Sequence, residues 1–221
     1  MITLHYLENS RAQRILWLLE EIGVEYEIKH YFRDTVTQLA PAELKQVHPL
    51  GKSPVITDGE ICIAESAAIV EYLIEKYGNG NLVPKDKKSL LKYREFMHYA
   101  EGTIMPFLVF SLIFNKIKTA PMPFFIKPIA KGIADKTMQS FVTPNIEANL
   151  KYLDDELTKT GWFAGEKLSG ADFMMSFPLE AVAARTNLKE NHKNLAAYVE
   201  KIHQIPSYKR AIEKGLPYLY G

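Results

Sequence analysis

The sequence predicts an α/β domain followed by an all-α domain. Three observations carry this. Strand-like alternation and helix-like spacing take turns through the first 80 residues, a polar stretch with Pro and Gly interrupts at 79–88, and beyond it strand signals nearly vanish. A chain of 221 residues has room for two small domains and enough interior to bury a core. With 47% hydrophobic and 24% charged residues it has the composition of a globular protein, which excludes wholesale disorder.

Residues 2–7 (ITLHYL) alternate weakly and predict a first strand. From Ser10 the period changes: Ile15, Leu18, Leu19 and Ile22 fall at helical spacing, and Gly23 stands where a C-cap belongs. Residues 26–31 (YEIKHY) predict a second strand, and residues 34–49 a loop with a short helix at about 41–46. Residues 53–59 (SPVITDG) predict a third strand running into an Asp-Gly turn, and 60–65 (EICIAE) a returning fourth. Residues 66–78 predict a helix with Ile69, Tyr72, Leu73 and Tyr77 on one face. The helix between the first two strands demands a crossover, hence a parallel pair; the tight turn makes the last two antiparallel. A mixed four-stranded sheet with helices on both faces follows, the arrangement of a thioredoxin-like domain. That domain is expected at 1–80, a linker at 81–90, and a helical domain at 91–221, with helices at about 87–117, 123–159, 172–186, 192–204 and 206–214.

Several classes drop out early. The net charge is +1 with Lys and Arg scattered, so no nucleic-acid partner is expected. The single cysteine, Cys62, permits no internal disulfide and no CxxC motif, as in a reducing compartment. The start, MITLHYLENS, lacks a basic stretch followed by an apolar one, so no secretory leader is expected. The most apolar segment, Ile104 to Phe114, is broken by Pro106 and ends at Asn115-Lys116, too short to span a bilayer. The expectation is a cytoplasmic protein without a membrane partner. His5, His30, His48, His98, His192 and His203 show no metal spacing, so no metal is expected.

Three stretches carry a resemblance: NSRAQRILWLLEE (9–21) at a strand-to-helix junction, HPLGKSPVITDGEICIAESAAIVEYL (48–73), and LSGADF (168–173). In this order and at these separations the chain resembles the cytosolic glutathione transferases along essentially its whole length, the first stretch being similar to bacterial and fungal members. The resemblance implies glutathione as co-substrate, a hydrophobic electrophile as second substrate, and a homodimer.

The residues support this chemically. Ser66 precedes the apolar period of its helix and reads locally as an N-cap. The same geometry attracts a carboxylate to free N–H groups, with Ser66 donating its hydroxyl and Glu65 receiving an ammonium. The γ-glutamyl end of glutathione offers both groups. Pro54 opens a strand without an N–H to give; the resemblance implies a cis bond after Ser53, whose backbone would pair with the cysteinyl part of the peptide. Lys52 is the candidate for the glycyl carboxylate, or else a solvated surface lysine.

Ser10 and Gln13 form an S-x-x-Q capping box. Ser10 also stands where open α/β sheets bind ligands. A thiol with pKa near 8.5 is mostly protonated at neutral pH, and lowering it by about two units takes ~2.7 kcal/mol. One charged hydrogen bond supplies about 1.5–3 kcal/mol. Ser10 is therefore the first candidate for holding a thiolate and Asn9 the second, with Tyr6 upstream and Arg11 adding positive potential or facing solvent. In the second domain, Met97, Met105, Phe107, Phe110, Phe114 and residues 121–130 offer core or an apolar pocket wall, and Tyr99 and Glu101 either face glutathione or satisfy each other at a domain interface. Ser169 and Asp172 are a structural capping box, stapled by Leu168 and Phe173. Two rival functions remain open: a glutathione-dependent peroxidase acting on organic hydroperoxides, and a non-catalytic module of the same fold. Disulfide exchange is disfavoured because no Cys stands at the junction.

Overall fold

The computed structural model describes residues 1–220. The first part is β1 (Ile2–Leu7), α1 (Ala12–Ile22), β2 (Tyr26–Tyr31), α2 (Leu44–Val47), β3 (Val55–Asp58), β4 (Ile61–Ala64) and α3 (Ser66–Tyr77). The sheet order is β2-β1-β3-β4, with β1 and β2 parallel and the other two pairings antiparallel. It is the mixed four-stranded sheet of a thioredoxin-like domain. Gly23 ends α1 at φ +74° and Gly59 turns β3 into β4 at φ +62°, left-handed conformations that glycine adopts without steric penalty.

After Tyr77 the chain has no regular structure until α4 (Lys87–Tyr99), which begins inside the expected linker. The rest is helical: α5 (Met105–Thr119), α6 (Lys127–Thr137), α7 (Thr143–Thr160), α8 (Gly170–Ala183), α9 (Leu188–Asn191), α10 (Lys193–Gln204) and α11 (Pro206–Lys214). A π-helical turn, Ala100–Ile104, joins α4 to α5, and another, Met138–Val142, joins α6 to α7. Pro106 therefore does not break the helix. It sits in the first turn of α5, where the π-turn already leaves backbone N–H groups out of register. The expectation of a short apolar segment is corrected on this point. Lys87–Thr119 runs as one helix, long and apolar enough by length and composition to cross a membrane, although 33% of its most apolar window is buried in this fold.

The core is shared between the two parts. Every residue of α1 from Ala12 to Glu20 is buried. Ile15 and Leu19 belong to the core that the sheet and the second domain share, and Trp17 reaches the second domain. Its ring lies 4.3 Å from that of Phe173, and its indole N–H donates to Ser207 Oγ at 3.0 Å. At the other end of α1, Arg210 Nε donates to Glu20 at 2.8 Å and Lys214 Nζ at 2.5 Å, which fixes α11 across it. On the opposite face of the sheet, Leu7, Tyr31 and Leu44 make a small separate core that seats α2.

The LSGADF box forms as expected, with one difference. Asp172 is fully buried and accepts from the Ser169 N–H at 2.9 Å, as a capping box requires. The Ser169 hydroxyl also donates to that carboxylate at 2.9 Å, and the Phe163 N–H and Tyr198 hydroxyl add bonds at 3.1 and 3.2 Å. Burial pushes this carboxyl up to about 6 against those four donors. Phe173, expected to staple the cap, packs on Trp17 across the domain junction.

Candidate active site

Strand register brings the candidate residues to one edge of the sheet. Val55 pairs with His5 on one side and with Ala64 on the other. The carboxyl ends of β1 and β4 therefore flank the start of β3. The Ser53–Pro54 peptide bond there is cis. Just past the end of β1 come Asn9 and Ser10, and just past the end of β4 come Glu65 and Ser66.

Ser53 is tied to β1 by its side chain: its hydroxyl donates to the His5 carbonyl at 2.9 Å and accepts from the Leu7 N–H at 3.1 Å. With that proton committed, the contact of 3.5 Å between Ser53 Oγ and Ser10 Oγ has Ser10 as donor. Ser10 Oγ itself accepts from the Ala12 N–H at 3.2 Å. The buried Ser10 hydroxyl thus has its proton held by only one long contact.

The expected capping box at α1 does not form. The helix starts at Ala12 with Arg11 in the cap position, and Ser10 lies one residue earlier. Gln13 turns inward and accepts from the Tyr6 hydroxyl at 2.7 Å. The reason is burial: Gln13 and Tyr6 are both inside, where Gln13 Oε1 satisfies the phenol hydroxyl and is not spared for a cap, while Gln13 Nε2 is buried without a partner. Tyr6 is thereby removed as a thiolate donor. It is fully buried, its hydroxyl is spent, and desolvation pushes its pKa far above the usual phenol range. Asn9 holds φ +47°, and its Oδ1 accepts from the Leu219 N–H at 3.1 Å, so part of that amide anchors the C-terminal segment.

Arg11 does not simply face solvent. Its Nε bonds Glu101 at 3.0 Å, and Arg14 Nη2 bonds the same carboxylate at 2.5 Å. Arg14 is 1% exposed and also donates to the Met174 carbonyl at 2.7 Å. Both guanidiniums lie over the Phe177 ring, 5.6 and 5.4 Å from its centroid. Two cations and one anion leave net positive charge at the start of α1. Glu101 comes from the π-turn, which rotates the polar HYAEG insertion toward the first domain. Glu101 and Tyr99 do not satisfy each other: Tyr99 donates to Asn149 and packs on Phe96 and Tyr152, away from α1. Met97 and Met105 are core. Sequence reasoning missed Arg14, Phe177 and Leu219. Arg14 carried a usable signal, lying one helical turn after Arg11 and thus on the same face.

At α3 the helix begins at Ser66, and Glu65, at φ +72°, takes the cap position that Ser66 was expected to hold. No side chain caps this helix. Ser66 is buried, yet its hydroxyl bonds nothing among the described residues, and Glu65 and Lys52 are exposed without ion-pair partners there. An open groove of about 910 Å³ lies elsewhere, between residues 80–92 and 156–169, and contains none of these residues. No group of three or more His, Cys, Asp or Glu able to hold a metal occurs among the described residues.

Residues 1–75 match the glutathione S-transferase N-terminal domain family, and residues 121–215 match the glutathione S-transferase C-terminal domain family. The chain is 35% identical over 215 residues to glutathione S-transferase 3 of Schizosaccharomyces pombe, covering 97% of this chain and 88% of that one. The chain belongs to the glutathione S-transferase family. Glutathione S-transferase 1 of Saccharomyces cerevisiae is 34% identical, covering 97% of this chain and 95% of its own. Among solved structures, a glutathione S-transferase from Actinobacillus pleuropneumoniae superposes with a TM-score of 0.79 at 33% identity, covering 99% of this chain and 94% of that one. The fungal and bacterial relatives agree with what the NSRAQR junction resembles. In this transferase-family chain the sheet edge carries Ser10, Ser53, Glu65 and Ser66, of which Glu65 and Ser66 have no side-chain hydrogen-bond partner among the described residues.

Proposed function

We propose that this chain is a glutathione transferase that binds the tripeptide along the sheet edge, holds its thiol as a thiolate at the start of α1, and conjugates it to a hydrophobic electrophile. The observation that carries this reading is the open start of α3, where the Ser66 hydroxyl and the first N–H groups lack partners beside an unpaired Glu65. A γ-glutamyl group completes that set: carboxylate to the N–H groups and hydroxyl, ammonium to Glu65. Ser53, ahead of cis Pro54, offers its backbone to the cysteinyl residue, and Lys52 pairs with the glycyl carboxylate.

The sulfur then lies near Ser10. The hydroxyl proton donates to it while Oγ keeps its bond from the Ala12 N–H, so the donor is oriented before the thiol arrives. One charged hydrogen bond of about 1.5–3 kcal/mol lowers the thiol pKa by ~1–2 units. The positive balance of Arg11 and Arg14 over Glu101 adds in the same direction. Attack forms a sulfur–carbon bond, and the electrophile's leaving group or activated π-electrons take the electron pair. Rate comes from thiolate population and proximity.

The site residues, the division into domains at 1–80 and 91–221, a cytoplasmic location and a homodimer all belong to this proposal. It is tested by calorimetry with glutathione, followed by turnover assays with a panel of aryl halides, enones and organic hydroperoxides. Binding in the micromolar to millimolar range with turnover of electrophiles is expected. Peroxide turnover alone would make the chain a peroxidase, and no binding at millimolar glutathione would leave a non-catalytic module.

A further inference from the structure

The two helices after the first π-turn leave an apolar surface that the rest of the chain does not cover. Phe124 and Phe125, in the turn between α5 and α6, are 86% and 64% exposed; Ile129 and Ile133 on α6 are 65% and 61% exposed. With Ile126 at the cap position, the isoleucines fall at i, i+3 and i+7 on one flank of α6. Ile113 and Ile117, one turn apart on α5, are exposed as well. Exposed apolar side chains are ordinary when scattered; this many in succession mark a surface that meets something else.

Charge decides what it meets. Between Ile104 and Phe141 the chain carries Lys116, Lys118, Lys127, Lys131 and Lys136 but a single acid, Asp135, whereas the whole chain has a net charge of +1. Lys118 and Lys131 share Asp135, each at 2.7 Å. Lys116, Lys127 and Lys136 have no acidic partner among the described residues. A second copy of the chain docked here hairpin against hairpin would bring two net positive surfaces together. An anionic lipid surface satisfies both features, the acyl boundary taking the Phe and Ile side chains and the phosphates taking the lysines.

We propose that the α5–α6 hairpin docks flat on anionic phospholipid membranes. The contact is peripheral. Met105 and Leu108, at the base of α5, are buried in the shared core, and Lys118 pins α5 to α6, so the helix stays in the fold and does not thread a bilayer. The proposal departs from the sequence expectation of no membrane partner, and it stands independently of the chemistry proposed above.

The test is co-sedimentation of the full chain with large unilamellar vesicles, either pure phosphatidylcholine or phosphatidylcholine mixed with phosphatidylglycerol. Binding to the anionic vesicles should exceed binding to the neutral ones by about tenfold or more and fall as salt rises. Phe124→Ser with Phe125→Ser, and Lys127→Ala with Lys136→Ala, should each weaken it about tenfold. Both double variants should melt like the parent by circular dichroism, since these side chains are exposed. No binding to anionic vesicles, or undiminished binding by either double variant, overturns the proposal. So does a light-scattering mass that falls from dimer to monomer in the Phe variant while the parent ignores vesicles, which would make the face an interface between copies.

Discussion

Two helices start at the same edge of the sheet, each near a serine, and they are finished differently. At α1 the side chains are tied to the protein's own groups: Ser10 accepts from Ala12, Tyr6 donates to Gln13, and Arg11 and Arg14 converge on Glu101, although Gln13 Nε2 and Arg14 Nε are buried without partners. At α3 no side chain caps the helix, and the Ser66 hydroxyl bonds nothing in the described chain. The difference separates two jobs. A helix end braced by its own chain can aim one remaining proton, while an uncapped end has free donors for a ligand's carboxylate.

Glu101→Ala breaks the closed end and should have the largest effect. It leaves the buried Arg14 guanidinium without its carboxylate and should cost about 3 kcal/mol of stability in chemical denaturation. The matching change at the open end should behave in the opposite way. Glu65→Gln combined with Ser66→Ala should barely move the denaturation midpoint but weaken glutathione binding about a hundredfold by calorimetry. Equal stability losses at both ends would erase the contrast drawn here. Next in size is Ser10→Ala, which should raise the thiol pKa of bound glutathione by about one unit in an ultraviolet titration. An unchanged titration moves the role to the Asn9 amide.

The smallest effect sharpens the contrast at the far end of α3. Asp58 accepts from Lys76 and Tyr72, each at 2.7 Å, and from Tyr77, and these donors hold its carboxyl well below the usual range, Lys76 most of all. Its folded pKa is depressed, so the stabilisation is present above the ordinary value of 3.8 and is lost as pH falls below it. Asp58→Asn should therefore melt lower than the parent at pH 7, with the gap closing under acid. A gap that persists unchanged at low pH would show that the ion pair is not its source. Throughout, α3 would be fastened at its C-terminal end and free at its N-terminal one.

Much of this was readable beforehand. The strand and helix periods located β1 to β4, α1 and α3 within a few residues, because one-sided burial writes a period of 2 or 3.6 into the chain. The LSGADF box was readable because a cap is a local device spanning four residues. The S-x-x-Q pattern at α1 was equally local and misled. Gln13 had a buried tyrosine to accept from, and a four-residue cap pattern does not record which side chains a strand and the helix after it bring together. The same limit hid Arg14, Phe177 and Leu219 from view and put Tyr99 on the wrong side of its helix.

By itself, then, the sequence determined the element order, the mixed sheet, the polar candidates at the strand ends, and the cysteine-free junction, all properties of neighbouring residues and their periods. The tertiary structure alone decided which of those polar groups are already spent. It sent Tyr6 inward to Gln13, brought Glu101 from residue 101 to Arg11 and Arg14, and left Ser66 open. It also decided that the apolar residues of α6 stay uncovered. Hydrogen-bond and ion-pair partners are settled by contact in space, and contacts across nearly ninety residues of chain leave no periodic trace.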